Sequence, residues 1–197
     1  MKLIMNETIE TPTWLRYLNI GFGFGFLLLA LITLLNFGLS KQILLILLSF
    51  ALVLICLTRV INGISDIYLS EGLRYLNMFI GSFGLAIALT IIVLPELPID
   101  TAIFLLAVGL SLQGIARIAI GSLDTTFTNW IRSLLVSIGA ITLVLTLIVI
   151  FFQTTDEAFL LRVLAFTFLI NGLARIAKGM AGHDLFEGTL LDRSKQI

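Results

Sequence analysis

Seven polar side chains set inside apolar runs have the types and spacing to do chemistry in this sequence: Arg59, Asn62, Asp66, Gln113, Arg117, Asn171 and Arg175. Six of them sit in a stretch that occurs three times, as Asn62-Gly63-Ile64-Ser65-Asp66-Ile67, Gln113-Gly114-Ile115-Ala116-Arg117-Ile118 and Asn171-Gly172-Leu173-Ala174-Arg175-Ile176. On a helix the amide and the ionisable residue of each copy are four apart and share a face. Packed around a pseudo-threefold axis, the copies would stack a layer of three amides on a layer of Asp66, Arg117 and Arg175. The carboxylate would then neutralise one guanidinium and leave one positive charge over. A cluster of that kind suits an anion or a proton relay. The same residues also suit plain packing, with amides as interhelical glue and arginines reaching to the headgroups.

Arg59 stands apart. It lies seven residues before Asp66, roughly 10 Å deeper at about 1.5 Å per residue. In the register set by the three stretches its counterparts are Leu110 and Phe168, which makes it an unrepeated charge. It shares a face with Asn62 and Asp66, either as a polar track along one helix or as an internal pair with Asp66 or a carbonyl. A charge inside a membrane is expensive, and a functional reading is its default.

The elements that must hold these residues are membrane spans. Of 197 residues 59% are hydrophobic and 12% charged, and the mean hydropathy is +1.12, far from the roughly 45–50% apolar and about 25% charged of soluble domains. Apolar runs cover about Trp14–Leu35, Lys41–Ile64, Leu73–Leu94, Asp100–Ile120, Trp130–Phe152 and Ala158–Met180, each long enough to cross a bilayer at roughly 20 residues per span. Thr11 with Pro12, Ser40, and Asp156 with Glu157 mark helix starts. Pro95 and Pro98 break the chain between spans three and four, and Gly121 marks a helix end.

Trp14-Leu15-Arg16, Gly72-Leu73-Arg74 and Trp130-Ile131-Arg132 open the odd-numbered spans, with arginines 74−16 = 58 and 132−74 = 58 residues apart. Gly23, Gly81 and Gly139 keep that spacing. The fold class is therefore all-α: a polytopic bundle of six transmembrane helices built from three tandem hairpins, 14–66, 72–121 and 130–180. The membrane domain covers 14–182, with a short segment 1–13 before it and a tail 183–197 after it. Gly21, Gly23 and Gly25, together with Gly63, Gly81, Gly114, Gly139 and Gly172, are the positions where helices should approach closely, Gly21-x-x-x-Gly25 by packing within the bundle.

If the spans alternate, ten of the twelve basic residues lie on one side and only Lys41 and Arg162 on the other. The positive-inside rule then places both termini in the cytoplasm, with the protein in the cell's inner or plasma membrane. Zero net charge gives no field for nucleic acid. One cysteine, Cys56, in an apolar run reads as core packing, and one histidine, His183, as a solvated tail residue. No metal or cofactor motif is present, and only Asp66 is a credible buried acid, which argues against an enzyme.

Three hairpins whose first spans open Trp/Gly-Leu/Ile-Arg and whose second spans end Gly-Ile/Leu-x-Arg/Asp-Ile resemble the HdeD family of small acid-resistance membrane proteins, over about Trp14 to Gly182. The resemblance implies a multi-pass inner-membrane protein linked to acid or general stress, without catalytic residues or cofactor. Two functions follow as expectations. One is a non-enzymatic HdeD-like role, supporting a membrane process or complex from within the lipid bilayer, with other membrane subunits or a second copy as partners. The other is a small transporter or channel for protons or anions with a polar cavity facing the cytoplasm.

Overall fold

The computed structural model describes residues 13–35, 39–65, 70–124, 129–153 and 155–181. They form six helices: α1 (Thr13–Leu35), α2 (Lys41–Ser65), α3 (Glu71–Val93), α4 (Ile99–Leu123), α5 (Asn129–Phe151) and α6 (Glu157–Ala181). At 23 or 25 residues each they are about 35 Å long against a hydrocarbon core of about 30 Å. All six are long and apolar enough to cross a membrane. The chain is an all-α, multi-pass membrane bundle.

Local chemistry sets the helix starts. Ser40 Oγ accepts from the Ile43 amide at 3.4 Å and Asp156 Oδ1 from the Ala158 amide at 3.3 Å, each satisfying a donor of the first turn. Pro98 stands at the N-cap of α4, and the turn from Leu94 to Pro98 separates it from α3. Gly121 does not end α4, which runs on to Leu123. A Cβ there would meet Arg132 O at 2.9 Å and Val136 Cγ2 at 2.8 Å, so this glycine admits α5 and terminates nothing.

The helix bounds repeat without drift. Odd helices start at 13, 71 and 129, with 71−13 = 58 and 129−71 = 58; even helices start at 41, 99 and 157, with 99−41 = 58 and 157−99 = 58. The even helices meet one another at the centre, while each odd helix packs mainly on even neighbours among the described residues. The tightest pairs are α2 with α3, α4 with α5, and α6 with α1, so the chain closes into a ring.

Each tight pair is the same glycine seam. A Cβ on Gly81 would meet Cys56 O at 3.1 Å and Val60 N at 3.2 Å. On Gly139 it would meet Gly114 O at 2.8 Å and Ile118 N at 3.1 Å, and on Gly23, Gly172 O at 3.1 Å and Ile176 N at 3.2 Å. Gly63 is packed on Arg74 O and Met78 in the same way. Without a hydrophobic force between helices in lipid, such backbone approach carries the packing. Gly21 and Gly25 are different: nothing lies within 4 Å of a Cβ on either. The Gly21-x-x-x-Gly25 pair therefore faces out of the bundle, and Gly23, on the opposite side of α1, makes the seam.

Arginines cap the seams. Arg74 donates from Nε to Gly63 O at 3.2 Å and from Nη2 to Ile64 O at 3.3 Å. Arg132 repeats this on Gly121 O at 3.1 Å and Ser122 O at 2.9 Å. Both satisfy carbonyls that the ends of α2 and α4 leave open. Arg132→Met is expected to lower stability by on the order of 1–2 kcal/mol, read as a lower melting temperature in detergent. An unchanged melting temperature would mean that water replaces the cap at no cost.

Leu48, Leu52, Ile55, Leu106, Leu110 and Leu164 are fully buried along the axis. Tyr75 and Phe79, both 70% exposed, belong to a broad apolar exterior that fits the acyl chains of a bilayer.

Candidate functional site

The helix bounds and the seams impose a register that differs from the one given by the amide-glycine stretches. Cys56, Gly114 and Gly172 occupy equivalent places opposite Gly81, Gly139 and Gly23, as do Val60, Ile118 and Ile176. Hence Arg59 is the equivalent of Arg117 and Arg175, with 117−59 = 58 and 175−117 = 58. It is the first member of a repeated set and no exception. Its helix ends six residues later at Ser65, as those of Arg117 and Arg175 end at Leu123 and Ala181.

The Asn62-Gly63 stretch lies seven residues too late to match. Asn62 corresponds to Ile120 and Lys178, and the amides Gln113 and Asn171 share their layer with Ile55. No layer of three amides forms. Asp66 lies outside the described residues, as do His183 and both terminal segments; its equivalent is Asp124, where 124−66 = 58. Cys56 takes the glycine place of its copy and is buried, with Sγ accepting from Gln113 Nε2 at 3.4 Å.

Three arginines thus project inward from the three central helices, roughly 9 Å from the helix ends at about 1.5 Å per residue. Arg59 and Arg117 are each 6% exposed, and Arg175 is half-buried. Arg117 is repelled by both Arg59 and Arg175, and Arg175 by Arg59. The sole ion pair among the described residues is elsewhere, between Lys41 and Glu157 at 2.9 Å. Helix dipoles offer little relief, because their effect fades within the last turn.

The partners of the three are unequal. Arg59 donates from Nη1 to Asn77 Oδ1 at 2.7 Å and from Nη2 to Gln113 O at 3.3 Å. Arg175 donates from Nη2 to Ile55 O at 3.2 Å and lies 5.2 Å from the centre of the Phe26 ring, within cation–π range. These two bonds to carbonyls are equivalent, since 113−55 = 58. The third of the set would run from Arg117 to Asn171 O, and it is not made among the described residues. The amide that serves Arg59, Asn77, is replaced beside Arg117 by Leu135, where 135−77 = 58.

Unfilled polar atoms collect here. Arg59 Nε, Arg117 Nη1, and Arg175 Nε and Nη1 are buried donors without a partner among the described residues. Asn62 Oδ1, Gln113 Oε1 and Asn171 Oδ1 are acceptors in the same condition. Asn171 does use its Nδ2, on Thr167 O at 2.7 Å and Thr142 Oγ1 at 3.3 Å. The sequence does not single out Asn77, Phe26 and Leu135 as site residues, since they belong to the odd helices and no spacing along the chain ties them to the arginines of the even ones.

At the opposite end, Lys41 and Arg162 border one cleft of about 280 Å³ between α1, α2 and α6. Lys41 and Arg59 are 18 residues apart on α2, about 27 Å. The fully buried Leu48, Leu52 and Ile55 of α2 lie in the interval. No group of three metal-ligating side chains gathers among the described residues. No protein-family model, curated protein or solved structure matches this chain.

Proposed function

We propose that this is a non-enzymatic membrane carrier that takes a small anion into the bundle at the end where α2, α4 and α6 finish. The positive-inside rule makes that end the cytoplasmic one. One observation carries the reading: three inward guanidiniums of like charge, with buried donors left unfilled and no carboxylate paired to them among the described residues. Charge held in that way inside a membrane is costly unless a ligand of opposite sign completes it. The buried, largely apolar core beyond the ring favours a carrier, whose central helices must part to release the anion, over an open pore. The cleft at the far face is bordered by Arg162 and by Lys41, whose charge is already paired with Glu157.

The test is anion exchange into liposomes containing purified protein. Uptake well above empty liposomes is expected, lost with Arg117→Met and kept with Lys41→Ala. Equal uptake with and without protein, for halides and oxyanions alike, would end the carrier reading.

A second reading keeps the HdeD-like role, a stress-related support of a membrane process or complex. The three matching glycine seams favour it, because they make a stiff body suited to packing against other subunits. Its test is the composition of particles extracted in native lipid discs: stoichiometric foreign polypeptides support it, and a lone chain opposes it.

A further inference from the structure

We infer that the arginine ring is a binding site for a single oxyanion of the phosphate class, with Arg117 as its principal ligand. The inference rests on the anion reading above and names the ligand of that same site. Three features separate an oxyanion from a halide.

The first is donor geometry. The free groups among the described residues are Arg59 Nε, Arg117 Nη1, and Arg175 Nε and Nη1, which belong to three central helices that pack on one another. Planar guanidinium forks match the several oxygens of an oxyanion, whereas a halide offers one point.

The second is the presence of free acceptors in the same part of the bundle. Gln113 Oε1 and Asn171 Oδ1 are buried without donors. Gln113 is tied to the ring through its carbonyl, which accepts from Arg59, and through Cys56. A halide satisfies no acceptor. A hydrogen phosphate carries an O–H that does.

The third is the broken symmetry. The repeat places an amide, Asn77 or Asn19, on the helices that form seams with those of Arg59 and Arg175, with 77−19 = 58, but Leu135 stands at the equivalent place for Arg117. Arg117 Nη1, buried and without a partner among the described residues, is left to bind something from outside the chain.

The phosphate group has two sources, the free ion and the headgroup of a lipid such as phosphatidic acid, and the same chemistry serves both. Full-length protein is delipidated in detergent and titrated with inorganic phosphate, with chloride at equal concentration as competitor. In parallel it is placed in discs of phosphatidylcholine with and without phosphatidic acid, and retained lipid is counted by native mass spectrometry.

One equivalent of phosphate, or one retained phosphatidic acid, is expected, and which of the two arms is positive identifies the source. Arg117→Met should weaken that binding about tenfold or more. Leu135→Asn, which gives Arg117 the amide that Arg59 has, should weaken it while keeping all three charges and the fold. Equal displacement by chloride overturns the oxyanion class while leaving an anion carrier. Failure of both arms, or binding indifferent to both substitutions, overturns the site. Phosphate binding without flux removes the carrier and keeps the site.

Discussion

Arg117→Met is expected to make the bundle harder to unfold in phosphate-free detergent while it abolishes anion uptake. Its buried Nη1 has no partner among the described residues, and its charge is opposed by Arg59 and Arg175. A thioether of similar reach fills the same space without a charge to desolvate. Exchanging a buried, poorly compensated charge for a packed apolar group commonly stabilises by about 1–4 kcal/mol. Arg59→Met should move the other way, because it strips Asn77 Oδ1 and Gln113 O of their donor inside the core, at about 1–3 kcal/mol for each group left unpaired. Melting curves of the two variants beside the parent protein decide the matter. A fall in melting temperature for Arg117→Met would show that the native chain already compensates this charge, and the case for a bound anion would weaken with it.

The second large effect is expected at Gly139. Its missing side chain lets α5 touch the backbone of α4, and a Cβ would come to 2.8 Å from Gly114 O and 2.8 Å from Ile118 Cγ1. A carbonyl in a helix cannot step aside as a flexible side chain can. Gly139→Ala should therefore cost roughly 1–3 kcal/mol, and Gly139→Leu should force the seam open. Gly21→Ala, with nothing within 4 Å of the new methyl, should instead be neutral or gain the roughly 0.5–1 kcal/mol that alanine has over glycine in a helix. Thermal melts and the elution profile in detergent check both. If the two alanine variants melted alike, close backbone approach would not be what holds these helices together.

These effects depend on a register that was only half legible in the sequence. For the odd helices, Arg16, Arg74 and Arg132 with Gly23, Gly81 and Gly139 gave the spacing that the helix bounds follow. For the even helices, Asn62-Gly63 imitates Gln113-Gly114 and Asn171-Gly172 at a shift of seven residues. Seven residues are two turns, returning to within about 20° of the same face, so hydrophobic periodicity could not detect the slip. The consequence is a depth error of roughly 10 Å, which made Arg59 seem singular and gave Asp66 a place among the arginines. Glycines 21, 23 and 25 posed the opposite problem, since neighbouring positions two apart face opposite sides of a helix and composition cannot say which side is inside. The inequality of the arginines was not legible at all. It depends on Asn77 and Leu135, which belong to other helices and become neighbours of Arg59 and Arg117 only across a folded seam.

The seam between α6 and α1 is built like those between α2 and α3 and between α4 and α5, although its two helices stand at opposite ends of the described chain. Covalent order therefore adds little to how this ring is held. A circularly permuted chain, with Ala181 tethered to Thr13 and new ends cut between Ser65 and Glu71, should insert and close around the same three arginines.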